Sequence, residues 1–131
     1  MKDSFKSYRD LEVWQKGMAL AKRIYEITAN FPAEERFGLT NQIRRAVVSI
    51  PSNLAEGHAR SGTAEFLHFI SISMGSVAEL ETQILLSADL GYMDKVIGND
   101  VLTQTDTIGR MLRGLRKSLL SSKSKKPVPP K

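Results

Sequence analysis

A chain of 131 residues with 41% hydrophobic residues is long enough to bury one core and too short for two full-sized ones. The absence of cysteine excludes disulfides, thiolate metal sites and cysteine nucleophiles, and together with an N-terminus lacking a signal peptide's apolar stretch it predicts a cytoplasmic protein; no run approaches the ~18 apolar residues of a membrane span. The net charge of +5 is unevenly placed, because six basic and no acidic residues lie between Arg116 and Lys131, leaving 13 of the 19 basic residues against all 14 acidic ones, a balance of −1 that excludes a body coated with positive charge.

Four helical segments follow in chain order. The first is expected from about Asp10, as N-cap, to Asn30 before Phe31-Pro32. Its apolar residues form two stripes: Leu11, Trp14, Met18, Ala21 and Tyr25, and, offset, Val13, Leu20, Ile24, Ile27 and Phe31. One stripe suffices for a bundle core, so the second predicts a wider buried surface, such as a contact with a partner. The second helix is expected from Glu35 to Glu56, with Leu39, Ile43, Val47, Ile50 and Leu54 inward. Pro51 lies inside it and withholds the N–H that Val47 should receive, at a cost of about 3 kcal/mol, which predicts a kink rather than a break because the stripe continues in phase. Gly57 is the expected stop.

The third helix starts after Ser61 or Thr63 and ends at Gly91, with Phe66, Ile70, Ser73, Val77, Leu80, Ile84 and Ala88 inward. Small residues midway, Ser71, Ser73, Gly75, Ser76 and Ala78, predict close approach by another helix. The fourth runs from about Asp94 to Leu120 with Ile97, Val101, Ile108, Leu112, Leu115 and Leu119 inward, and Gly98, Gly109 and Gly114 weaken it by roughly 1 kcal/mol each. Residues 1–120 thus form one bundle domain, followed by a Ser/Lys/Pro tail over 121–131 without periodicity and expected to be disordered. Short connections place successive helices antiparallel, so the predicted fold is an all-α, up-down-up-down four-helix bundle.

Three blocks carry a family likeness: Tyr8-Arg-Asp-Leu-Glu-Val-Trp-Gln-Lys16; Gln42-Ile-Arg-Arg followed by Ser49-Ile-Pro-Ser-Asn-Leu-Ala-Glu-Gly57; and Glu65-Phe, Gly75-Ser and Glu79-Leu-Glu-Thr-Gln83. The chain resembles the 23S rRNA intervening-sequence proteins over about residues 8 to 120, the middle block being the most specific. That resemblance implies a left-handed antiparallel bundle assembling as a ring-like homopentamer, and no particular activity. A related group with a similar fold, the accessory variability determinants of diversity-generating retroelements, works with a reverse transcriptase and nucleic acid. Those relatives are more basic over their bodies than this chain.

Candidate chemistry is sparse. A di-iron bundle site needs two Glu-x-x-His pairs, and only Glu65-Phe-Leu-His68 has that spacing; the other histidine, His58, is in a connection. Ser49 and Ser52 lack a histidine on their helical face, and no glycine-rich phosphate loop is present. The chain therefore reads as non-enzymatic, without a cofactor. At 100° per residue Arg45, Ser49, Asn53 and Glu56 share a sector beside the apolar stripe, which reads as a polar seam that fixes helix register or an oligomer contact, with a small-ligand site as the alternative. The nucleic-acid candidates are Arg44 and Arg45, which could reach phosphate, and the basic end formed by Arg110, Arg113, Arg116, Lys117, Lys123, Lys125 and Lys126. In a ring of copies these cations would act together on a polyanion without reading sequence. The reading is an oligomeric interaction or scaffold module of unknown biological role, a homo-oligomer without a membrane partner, with sequence-independent RNA or DNA binding as the alternative.

Overall fold

The computed structural model describes residues 7–124. Four helices, α1 (Glu12–Thr28), α2 (Leu39–Ala59), α3 (Thr63–Asp89) and α4 (Lys95–Ser124), form a helical bundle, and no strand occurs among the described residues. Each helix packs on the next in the chain, most extensively α2 on α3, and α1 also touches α4. The core is one cluster in which Leu20, Ile24, Ile43, Ile50, Leu54, Ile70, Leu80, Ile84, Ile108 and Leu112 are fully buried.

The apolar periodicity picks out these residues well. Along α3 the expected positions Ile70, Ser73, Val77, Leu80 and Ile84 are buried, and Phe66 and Ala88 are half-buried at the ends. Along α4, Val101, Ile108 and Leu112 are buried, Leu115 and Leu119 pack partly against the core, and Ile97 is exposed. Thr105 occupies the step between Val101 and Ile108, where its hydroxyl donates to Glu81 Oε2 (2.8 Å) and so joins α4 to α3. In α1 the offset stripe (Val13, Leu20, Ile24, Phe31) faces inward with Leu11 and Ala21. The other stripe is partly covered within the protomer: Tyr8 meets Trp14 edge-on at 5.3 Å, and the Arg44 guanidinium lies 4.4 Å over the Tyr25 ring.

Several helix ends differ from the sequence expectation. Asp10 is not the N-cap of α1. It sits in a 3₁₀ turn, Tyr8–Asp10, capped by Ser7, whose Oγ accepts from the Arg9 N–H at 3.1 Å; Leu11 then opens α1 without a side-chain cap. Glu35 does not begin α2 but ends a 3₁₀ turn, Ala33–Glu35. From there its carboxylate accepts from the Leu39 N–H (3.0 Å) and, through the second oxygen, from the Tyr92 hydroxyl (3.0 Å). One acid thus caps α2 and ties it to the α3–α4 connection.

Pro51 does not divide α2, which runs unbroken through it to Ala59. Its ring is buried against Gly17 of α1, where an added Cβ would lie 3.3 Å from Pro51 Cδ. Gly57 is not the stop either. It is buried inside α2 at the closest approach of α3, where a Cβ would come within 2.6 Å of Phe69 Cβ. The glycine that needs its conformational freedom is Gly91, with φ of +80° just beyond α3. At the other end, α4 remains helical through Ser124, so the stretch expected to be disordered starts as helix; residues 125–131 lie outside the described residues.

The Glu35–Tyr92 contact yields a pH prediction. The hydrogen bond to Glu35 holds the phenol proton and raises the Tyr92 pKa above its usual value near 10, with burial and the charges of Glu35 and Glu34 acting in the same direction. Because the folded pKa lies above the unfolded one, the contact stabilises fully below about pH 10 and is lost as pH rises through the folded pKa. Wild type should exceed Tyr92→Phe in urea midpoint at neutral pH, and the gap should close in alkali. A gap that stays constant above pH 10 would exclude the linkage.

Candidate functional site

The polar sector around Pro51 is an interhelical seam. Ser49 Oγ and Ser76 Oγ are 2.8 Å apart, Asn53 Nδ2 donates to both Ser49 O and Ser49 Oγ at 2.8 Å, and buried Ser73 Oγ donates to the Ile50 carbonyl at 3.0 Å. These bonds use the polar atoms that close packing of α2 on α3 would otherwise strand. Ser49 and Asn53 belong to the seam; Arg45 and Glu56 do not. Both are exposed, and Glu56 pairs with Arg60 at 2.8 Å. Of the small residues in α3, Ser73 and Ser76 serve this approach, whereas Ser71, Gly75 and Ala78 face outward.

Arg44 and Arg45, adjacent in sequence, do different work. Arg44 donates through Nε to Thr28 Oγ1 (2.9 Å) and through Nη2 to the Tyr25 carbonyl (3.3 Å), so it neutralises the carbonyl end of α1 while stacking on Tyr25. Arg45 is exposed and has no ion pair or hydrogen bond among the described residues. Both line an open cleft of about 580 Å³ with Tyr25, Arg36, Phe37, Thr40, Asn41, Val48, Ser49 and Ser52. Sequence reasoning missed Arg36, Phe37 and Thr40. Phe37 is the clearest of these: an aromatic between Arg36 and Gly38, outside any apolar stripe, and 87% exposed. The Thr40 hydroxyl is buried beside the cleft without a hydrogen-bond partner.

The basic end is less concentrated than its sequence suggests. Arg110 is paired with Asp106 at 3.3 Å. Arg113 and Lys117 are exposed, Arg116 is half-buried, and none of the three has an ion pair among the described residues. The Lys123 side chain, Lys125 and Lys126 lie outside the described residues. Around the Glu-x-x-His spacing, Glu65 lies 3.8 Å from Arg60, His68 meets the Phe69 ring edge-on, and His58, in the last turn of α2 rather than in a connection, meets Phe66. Among the described residues no group of three or more His, Asp and Glu could hold a metal ion.

A family model for the 23S rRNA-intervening sequence proteins matches residues 9–114, which span all of α1 to α3 and most of α4. The chain belongs to that family. No functionally curated protein matches it. Among solved structures, this intervening-sequence protein is similar to a protein with unknown function from the S23 ribosomal protein family of Bacteroides thetaiotaomicron VPI-5482. The TM-score is 0.74 at 22% identity, covering 80% of this chain and 95% of that one. At that identity the likeness establishes a shared fold.

Proposed function

We propose that this intervening-sequence protein is a non-enzymatic interaction or scaffold module that works by assembling with copies of itself. The observation that carries this is the outer flank of α3. Contrary to the expectation from sequence that no segment approaches a membrane span, α3 is long and apolar enough to cross one by length and composition, yet only 39% of its apolar window is buried inside the protomer. Its exposed side presents Ile72, Gly75, Ala78, Thr82, Leu85 (55% exposed), Leu86 (48%) and Leu90 (51%), a stripe at helical spacing that the exposed acids Glu79 and Asp89 interrupt. Apolar surface grouped in this way marks an interface more often than a solvated face.

The contacts also support an up-down-up-down order. Gly17 meets Pro51 and Thr28 meets Arg44; Ile50 meets Ser73 and Gly57 meets Phe69; Glu81 meets Thr105; Arg23 pairs with Asp100. In the first two helix pairs one residue number rises as the other falls, as in antiparallel neighbours. A closed ring, the arrangement the family resemblance implies, would set the α3 flank of one copy against a different face of the next, a heterologous contact that ends on itself. Sedimentation velocity at micromolar protein should show one oligomeric species; monomers alone would remove the proposal.

A second reading, contact with RNA or DNA through the basic end, is favoured by the exposed and unpaired Arg113 and Lys117. It predicts affinity for a single-stranded oligonucleotide that falls steeply with salt and drops by at least about tenfold when residues 125–131 are removed, a deletion that spares α4. Fluorescence anisotropy across a salt series reads both effects. Affinity that ignores salt would sink this reading.

A further inference from the structure

The cleft on the outer face of α1 and α2 brings three guanidinium groups, Arg36, Arg44 and Arg45, to one place, and no carboxylate lines it. The comparable cleft of about 530 Å³ beside Tyr92 mixes Lys22 and Arg23 with Glu26 and Asp94, so its charges offset one another. In the arginine cleft the compensation is incomplete. Arg44 directs Nε and Nη2 toward the end of α1, while its Nη1 has no partner among the described residues, and Arg45 has none at all. Like charges converging on a concave surface raise the local potential and recruit an anion. Guanidinium forks match the paired oxygens of a phosphate better than an ammonium does.

Two neutral features complete the site. The Thr40 hydroxyl beside the cleft has no internal partner, so a change of rotamer makes it a donor at no cost to an existing bond. Phe37 stands at the rim almost fully exposed, with the Arg36 guanidinium 5.9 Å from its ring centroid. An apolar ring held there in water is a platform on which a planar group of a ligand would stack.

We infer that the cleft formed by Arg36, Arg44, Arg45, Thr40 and Phe37 is a binding site for a phosphate-bearing anion, with Arg45 as its principal free ligand. This assignment does not rest on self-assembly, and the cleft lies on α1 and α2, with Glu79 of α3 beyond Arg45 in an adjoining pocket. The chemistry is shared by a free phosphate and by the phosphate of a nucleotide, and Phe37 separates the two.

Isothermal titration of the full chain with inorganic pyrophosphate and with adenosine 5′-monophosphate tests it. At least one probe should saturate at or below about 1 mM, and Arg45→Ala should weaken that binding at least about tenfold. Lys117→Ala, on the distant basic end, should leave it unchanged. Tighter binding of the monophosphate, reduced by Phe37→Ala, assigns the natural ligand as a nucleotide; equal or tighter binding of pyrophosphate, indifferent to Phe37→Ala, assigns it as free phosphate. No saturation with either probe, unchanged affinity in Arg45→Ala, or a loss that follows Lys117 instead would overturn the site. Because Arg45 is exposed and contacts no other side chain through a polar bond, its substitution should leave the thermal midpoint unchanged, which separates lost binding from lost fold.

Discussion

Gly57→Ala should destabilise the protein by about 2 kcal/mol, although the same substitution in an open stretch of helix stabilises. A Cβ at position 57 would lie 2.6 Å from Phe69 Cβ and 3.1 Å from Phe66 Cδ1. The first of these atoms is fixed to the α3 backbone, so no rotamer change relieves the contact and the helices must move apart. That separation would stretch the seam one to two turns away, where Ser49, Ser76, Asn53 and Ser73 hold α2 on α3. The helical gain of alanine over glycine, about 1 kcal/mol, does not offset a typical overpacking cost of 1–3 kcal/mol with strained hydrogen bonds added. Gly114→Ala is the matched control: exposed in α4 with nothing within 4 Å of its Cβ, it should gain up to about 1 kcal/mol. Urea unfolding of both variants at one protomer concentration checks the pair, concentration being held fixed because the proposed assembly would contribute to apparent stability. A Gly57→Ala protein as stable as wild type would show that α3 does not approach α2 as closely as described.

Replacing Leu85 and Leu86 together with glutamate should convert the proposed assembly to monomers while leaving the protomer folded. Both side chains are about half exposed in the protomer, so their truncation opens no internal cavity, and surface changes of this kind stay within about 0.5 kcal/mol of wild type. At an interface the balance differs. Each leucine forfeits its share of apolar burial, and each carboxylate loses hydration without a counter-charge, a penalty of several kcal/mol per copy. The assembly should weaken by at least roughly 100-fold. Mass photometry and circular dichroism together decide the outcome: monomers with wild-type helicity support the α3 flank as the contact, and an intact oligomer places the contact elsewhere. Neither leucine lines the arginine cleft, so phosphate binding should persist in the monomer.

The residues that sequence reasoning located well share one property: their role is set by local spacing. The three- and four-residue steps of α3 and α4 identify the core because a helix places such positions on one face whatever it packs against. The residues it misplaced are those whose role comes from a segment distant in the chain. Glu35 reads as the start of the second helix but reaches forward to Leu39 and across to Tyr92. Gly57 reads as a terminator because glycine commonly ends helices, and no local pattern reports that α3 crosses there. Arg44 and Arg45 both read as possible phosphate contacts, yet a turn of about 100° sends Arg44 to the Tyr25 carbonyl and leaves Arg45 without a polar partner in the open cleft.

The arginine cleft was the least legible element. Tyr25, Arg36 and Arg45 belong to three different segments, and only the docking of α1 on α2 brings their side chains together. Phe37 carried a signal of its own, an aromatic outside every apolar stripe, but an isolated exposed ring has no meaning until its neighbours are known.

By itself the sequence determined the four helices, their inward faces and the family, since each follows from the order of residue types along a short stretch. Tertiary structure alone decided which helix flank stays uncovered, which arginine is free and where glycine is required for contact rather than for a turn. These depend on distances between segments that sequence spacing does not encode.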